Sequence, residues 1–163
     1  MIYAAIIISF ILDSVISNFI SLNSLFTPLF TLMSLILIYP YMKGDNYKYL
    51  ITCFVTGLCY DLIYTDTIII HGLLFLFIGF VITRLSLLLS NSIVSEIIVA
   101  FICIITYRFI TYGLLLITAS VSFRGILIFK SIFNSVLINI VYIIIGYFVL
   151  DKLSKKFKIR KLN

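Results

Sequence analysis

Apolar residues in this chain run on almost without interruption, broken only by short clusters of charge, proline, glycine and asparagine. The runs fall near 2–22, 25–42, 49–64, 67–89, 93–118 and 126–150. Each is predicted to be a membrane-spanning helix, because ~20 apolar residues wound into a helix cover the ~30 Å hydrocarbon core of a bilayer. The third run is the shortest, and it spans only if Tyr49 and Tyr64 extend it at the interfaces or the bilayer thins around it. The expected architecture is an all-α integral membrane protein, a six-transmembrane-helix bundle over 1–150 followed by a basic tail at 151–163. Ile2–Ser21 carries neither a basic leading region nor a small-residue cleavage site, so it reads as the first permanent helix.

Composition sharpens this picture. Of 163 residues, 63% are hydrophobic and 11% charged, where a soluble domain carries about 25% charged residues to cover its outside. The charge is also one-sided. With both termini cytoplasmic, the inner loops and tail hold Lys43, Lys48, Arg84, Lys152, Lys155, Lys156, Lys158, Arg160 and Lys161, whereas the outer loops hold Arg124. Lys and Arg resist translocation, so this bias sets the orientation of a multi-pass membrane protein. The outer loops around Asn18–Ser24, Thr65–Thr67 and Ala119–Arg124 are too short to build a catalytic domain. The inner connection Arg84–Glu96 is half apolar; it either lies along the membrane surface or is crossed by two helices. The net charge of +6 resides mostly in the tail, which favours anionic lipid at the inner surface and gives no reason to invoke nucleic acid.

Polar residues inside apolar runs are costly, about 2.5–3.5 kcal/mol for a charge near the bilayer centre. Asp13, Asp61 and Arg108 fall at similar depths when counted along their helices, and Asn134 reaches a comparable level. They form a candidate buried polar clasp that would fix helix order; a buried ligand or proton site is the more specific alternative. His71 and Lys130 lie near outer helix ends, His71 as a hydrogen-bonded interface residue and Lys130 with a stem long enough to reach the interface. Cys53, Cys59 and Cys103 have no partner at metal-ligand spacing and read as buried small hydrophobes. No catalytic constellation or phosphate loop is assembled, so neither an enzyme nor a cofactor is expected. Gly57, Gly72 and Gly79 form a candidate close-packing face, used within the chain or by a partner helix.

The stretch Phe54–Leu85 has a helix ending in Gly57-Leu58-Cys59-Tyr60-Asp61, a brief turn, and a helix with Gly72 and Gly79. This pattern resembles the bacterial rod shape-determining protein MreD family. Chain length, six apolar runs, Pro28 early in the second run and the short basic tail agree with it across nearly the whole chain. Asp13 departs from the pattern, which has a neutral polar residue there. The resemblance implies a non-enzymatic scaffold of the cell-elongation machinery that helps position side-wall peptidoglycan synthesis. The implied partners are an MreC-like single-span protein, an MreB-like actin homologue and the glycan polymerase and transpeptidase. It also implies a fold like that of the substrate-binding subunits of energy-coupling-factor transporters.

A vitamin-transporter subunit of that kind is the competing function. Against it, Ala4 and Ala5 are adjacent, with Ser9 the only spaced follower, and so do not make the expected small-xxx-small docking motif. An intramembrane enzyme would need Asp13 and Asp61 to face each other.

Overall fold

The computed structural model describes residues 2–20, 28–65, 69–90, 92–118 and 125–157. Within them the chain is helical: α1 (Ile2–Ile20), α2 (Phe30–Met42), α3 (Asn46–Tyr64), α4 (Ile70–Leu88), α5 (Ile93–Ile117) and α6 (Gly125–Lys156). The expected outer loops, Arg124 and the end of the basic tail fall mostly outside the described residues.

Helices α1–α2, α3–α4 and α5–α6 pack as three hairpins, α4 and α5 join the second to the third, and α2 touches all five other helices. α2 is therefore the axis of the bundle. Phe30 to Tyr41 are buried without exception, so this helix has no polar face and no lipid face. Its 13 residues reach only ~20 Å.

By length and composition α4, α5 and most of α6 can cross a membrane, while α1 and α2 contain shorter apolar helices. Among the described residues the shortest element is α2, not the third, because α2 starts only at Phe30, while α3 starts at Asn46 under an Asp45 cap. A helix enclosed by five others is not required to match the bilayer. Pro28 lies just outside α2, and the proline within it is Pro40, in the last turn, where it cannot donate to the Ile36 carbonyl and the helix stops within three residues. The inner connection is resolved as two helices running through it, with α4 ending at Leu88 and α5 starting at Ile93. The basic tail begins as helix, α6 continuing through Asp151 to Lys156.

The outer faces of these helices are apolar. On α6 alone Ile126, Phe129, Phe133, Leu137, Val141, Ile145 and Phe148 are exposed in a stripe at helical spacing. A surface of this kind is compatible with a bundle solvated by lipid and not by water.

Candidate functional site at the capped end

One group of buried polar residues, Asp13, Thr31, Asp61, Ser135 and Asn139, lies near the starts of α2 and α4. A helix N-terminus leaves four backbone amides without intrahelical partners, and in an apolar interior each needs an acceptor. For α2 the acceptors come from two other helices. Asp13 of α1 takes the Phe30 and Thr31 amides, one on each carboxylate oxygen, both at 2.7 Å. Asn139 of α6 takes the Leu29 amide at 2.8 Å and donates from Nδ2 to the Ser135 carbonyl at 2.6 Å. One turn along, the Ser9 and Tyr142 hydroxyls meet at 2.5 Å, and the Tyr142 ring stacks on Phe30.

α4 is capped by the same chemistry. Asp61, one turn from the end of α3, takes the His71 and Gly72 amides on Oδ2 at 2.8 and 3.1 Å. Its Oδ1 lies 2.8 Å from Nδ1 of His71 and accepts from the Thr65 hydroxyl at 3.1 Å. The positive end of the helix dipole offsets part of the cost of keeping each carboxylate among apolar helices.

Asp61 can reach those amides because α3 and α4 nearly touch. A Cβ on Gly57 would overlap the His71 carbonyl oxygen, one on Gly72 would meet Leu58 at 2.9 Å, and one on Gly79 would meet the Cys53 sulfur at 2.7 Å. All three candidate glycines thus lie inside the α3–α4 interface, and the structure uses them for packing within the chain. The turn between these helices ends on Ile69, the one non-glycine described with a positive φ, at 78°. A β-branched residue is strained there, and the carboxylate–amide bonds just beyond it hold the turn closed.

The four residues of the expected clasp are divided among different tasks. Asp13 and Asp61 each serve a separate helix terminus, where orphaned amides lie at short range. Arg108 of α5 donates from Nε to the Ser135 hydroxyl at 2.8 Å and lies 5.7 Å over the Tyr107 ring. Asn134 is half-buried on α6 beside Ser135. Tyr60, Tyr64, His71, Phe75 and Tyr107 form a continuous set of ring contacts, extended to α1 by Phe10. Cys53 and Cys103 are buried as expected, but Cys59 is exposed, and Lys130 is exposed on α6.

The polar residue missed by sequence is Asn139, fully buried and essential to the α2 cap. It is a lone amide in an apolar run, the same signal that singled out Asn134.

Residues 1–157 match the family described as rod shape-determining protein MreD. The chain belongs to the MreD family. The match includes both capping aspartates and every helix, and it makes this chain a membrane protein of rod-shape determination. No curated protein and no solved structure matches it.

Proposed function

We propose that this MreD-family chain is a non-enzymatic scaffold that binds an MreC-like single-span protein through its lateral helix faces and helps position side-wall peptidoglycan synthesis. Both termini are cytoplasmic on this reading, so the capped end faces outward, and the fold follows that of energy-coupling-factor substrate-binding subunits. The observation that carries it is the division of labour between interior and exterior: the two intramembrane aspartates are spent on helix ends, while broad apolar faces of α4, α5 and α6 point outward. Such faces offer contact to other helices and no reactive group. An MreB-like protein and the polymerase–transpeptidase pair are the further partners of the same assembly.

Co-expression with the MreC-like protein of the same organism, followed by affinity purification in mild detergent, tests this. Stoichiometric recovery of the single-span partner is expected. Recovery of a stoichiometric small molecule in its place would transfer the chain to the transporter reading. Fusions at Asn163 to a reporter active only in the cytoplasm should be active; activity of a periplasmic reporter there would reverse the orientation.

A further inference from the structure

At the end opposite the α2 and α4 caps, α1 and α6 leave a slot between them. Both helices pack on α2, and the Ser9–Tyr142 hydroxyl pair joins them. From that pair to Leu153 runs a cavity near 150 Å³. Ala4 and Ala5 line one side, Gly146, Val149 and Leu153 the other, and Ser34 and Leu37 of α2 form the floor. The slot stays open because the α1 side chains facing it are small and Gly146 has none, a Cβ there overlapping Leu37. Its polar groups are already engaged. The Ser34 hydroxyl donates to the Thr31 carbonyl at 2.7 Å, and the Tyr142 hydroxyl is taken by Ser9. What remains is a narrow apolar channel, its floor nearly closed, with Ser34 1% and Leu37 3% exposed.

We propose that this slot holds one acyl chain of an anionic phospholipid whose phosphate is met by Lys152 and Lys156 at the end of α6. Width selects the occupant. A helix with its side chains is ~10–12 Å across and cannot enter over so nearly closed a floor, whereas a single methylene chain can. Length agrees as well. Tyr142 to Leu153 covers ~16 Å of helix, half of a ~30 Å hydrocarbon core and therefore the reach of a chain within one leaflet. Charge then specifies the headgroup. Tyr142, Gly146, Val149 and Leu153 follow one another at four, three and four residues and so share a face of α6, which Lys156 continues three residues on. Lys152, three residues beyond Val149, flanks that face. Both lysines are exposed, and their stems can lie along apolar surface while the ammonium groups stay at the level of phosphate. Asp151 lies on the side of α6 away from the slot, its carboxylate 2.7 Å from the Lys155 ammonium. A zwitterionic lipid would fill the same channel without answering the two cations. The assignment rests on this end of the bundle meeting a membrane surface and is independent of any partner protein.

The full chain in mild detergent, titrated with dioleoyl phosphatidylglycerol or dioleoyl phosphatidylcholine and read by native mass spectrometry, tests this. One phosphatidylglycerol should be retained about fivefold to thirtyfold more tightly than one phosphatidylcholine, the attraction of one to two interfacial lysines. Lys152→Gln/Lys156→Gln should bring the two lipids to parity. Ala5→Leu fills the slot and should weaken dioleoyl phosphatidylglycerol about tenfold, while dihexanoyl phosphatidylglycerol, too short to depend on the slot, binds as before. Ala4→Leu, at the exposed rim, makes the same test should Ala5→Leu fail to fold. Equal retention of the two dioleoyl lipids by the unaltered chain overturns the proposal, and so does a preference that survives loss of both lysines. Undiminished dioleoyl binding in both leucine variants would place the lipid at the lysines alone and overturn the slot. Recovery of a lipid-free dimer would give the groove to a second copy and overturn it likewise.

Discussion

Gly57 and Gly113 are both helical glycines, and the structure gives them opposite roles. A methyl group on Gly57 collides with the His71 main chain, which cannot rotate away as a side chain would, whereas a methyl group on Gly113 meets nothing within 4 Å. Gly57→Ala should therefore force α3 and α4 apart and lower stability by about 1–3 kcal/mol, read as a fall in thermal midpoint in detergent. Gly113→Ala should raise it slightly, since alanine is favoured over glycine in a helix by about 1 kcal/mol. Ile69 permits a third test at this scale. Its left-handed backbone costs a β-branched residue about 1–2 kcal/mol that glycine would not pay, so Ile69→Gly is expected to stabilise the fold while Ile69→Val leaves the strain in place. A fall in thermal midpoint for the glycine variant would count against strain at that turn.

At the scale of elements, an aspartate serves the start of each of α2, α3 and α4, with Asn139 added at α2, but their surroundings differ. Asp13→Ala strips two amides of α2 of their acceptor and is expected to cost at least the ~1 kcal/mol of an ordinary cap, more because the site is buried. Asp13→Asn keeps one acceptor oxygen and should lose less. The same pair at Asp61 should behave alike, and hydrogen exchange at the first turns of α2 and α4 would show which helix each change loosens. Asp45 caps α3 outside the membrane core, accepting from the Lys48 amide at 3.0 Å with the Lys48 ammonium 2.9 Å from its other oxygen. The hydrogen bond from the Lys48 side chain, then that from its amide, holds the Asp45 carboxyl below its ordinary value of 3.8. A carboxylate with a lowered folded value stabilises fully above 3.8 and loses that contribution as pH falls through the folded value. The protection factor of amides in the first turn of α3, exchange corrected for its intrinsic pH dependence, should consequently fall only below that ordinary value, and Asp45→Ala should abolish that fall.

For the molecule as a whole, hydrophobic run length revealed the number and order of the helices, and the aspartates were visible as expensive residues. Their purpose was not visible. Counting depth along separate helices placed Asp13, Asp61 and Arg108 at one level and suggested that they seek one another, but it carries no information about where a neighbouring helix begins. α2 starts beside Asp13 and α4 beside Asp61, so the amides of those first turns are partners that depth alone does not reveal. Asn139 escaped notice for a related reason: its task depends on α2 lying at the centre of the bundle, which is a property of the packing and not of any local stretch. The glycines were legible as close-packing residues because a missing side chain has the same meaning in either environment, yet only the packing shows that both surfaces belong to this chain.

The cap of α2 joins residues made at very different moments of synthesis. Asp13 has already left the ribosome when Phe30 and Thr31 follow, whereas Asn139 arrives more than a hundred residues after the Leu29 amide it must receive. A 13-residue helix with no exposed face cannot wait alone in lipid. Until α6 enters, the growing chain has an axis with its first amide unanswered, so the bundle closes only when its last helix does. Truncation before Asn139 should leave an early chain that membrane proteases recognise, seen as a shorter half-life than that of the full chain.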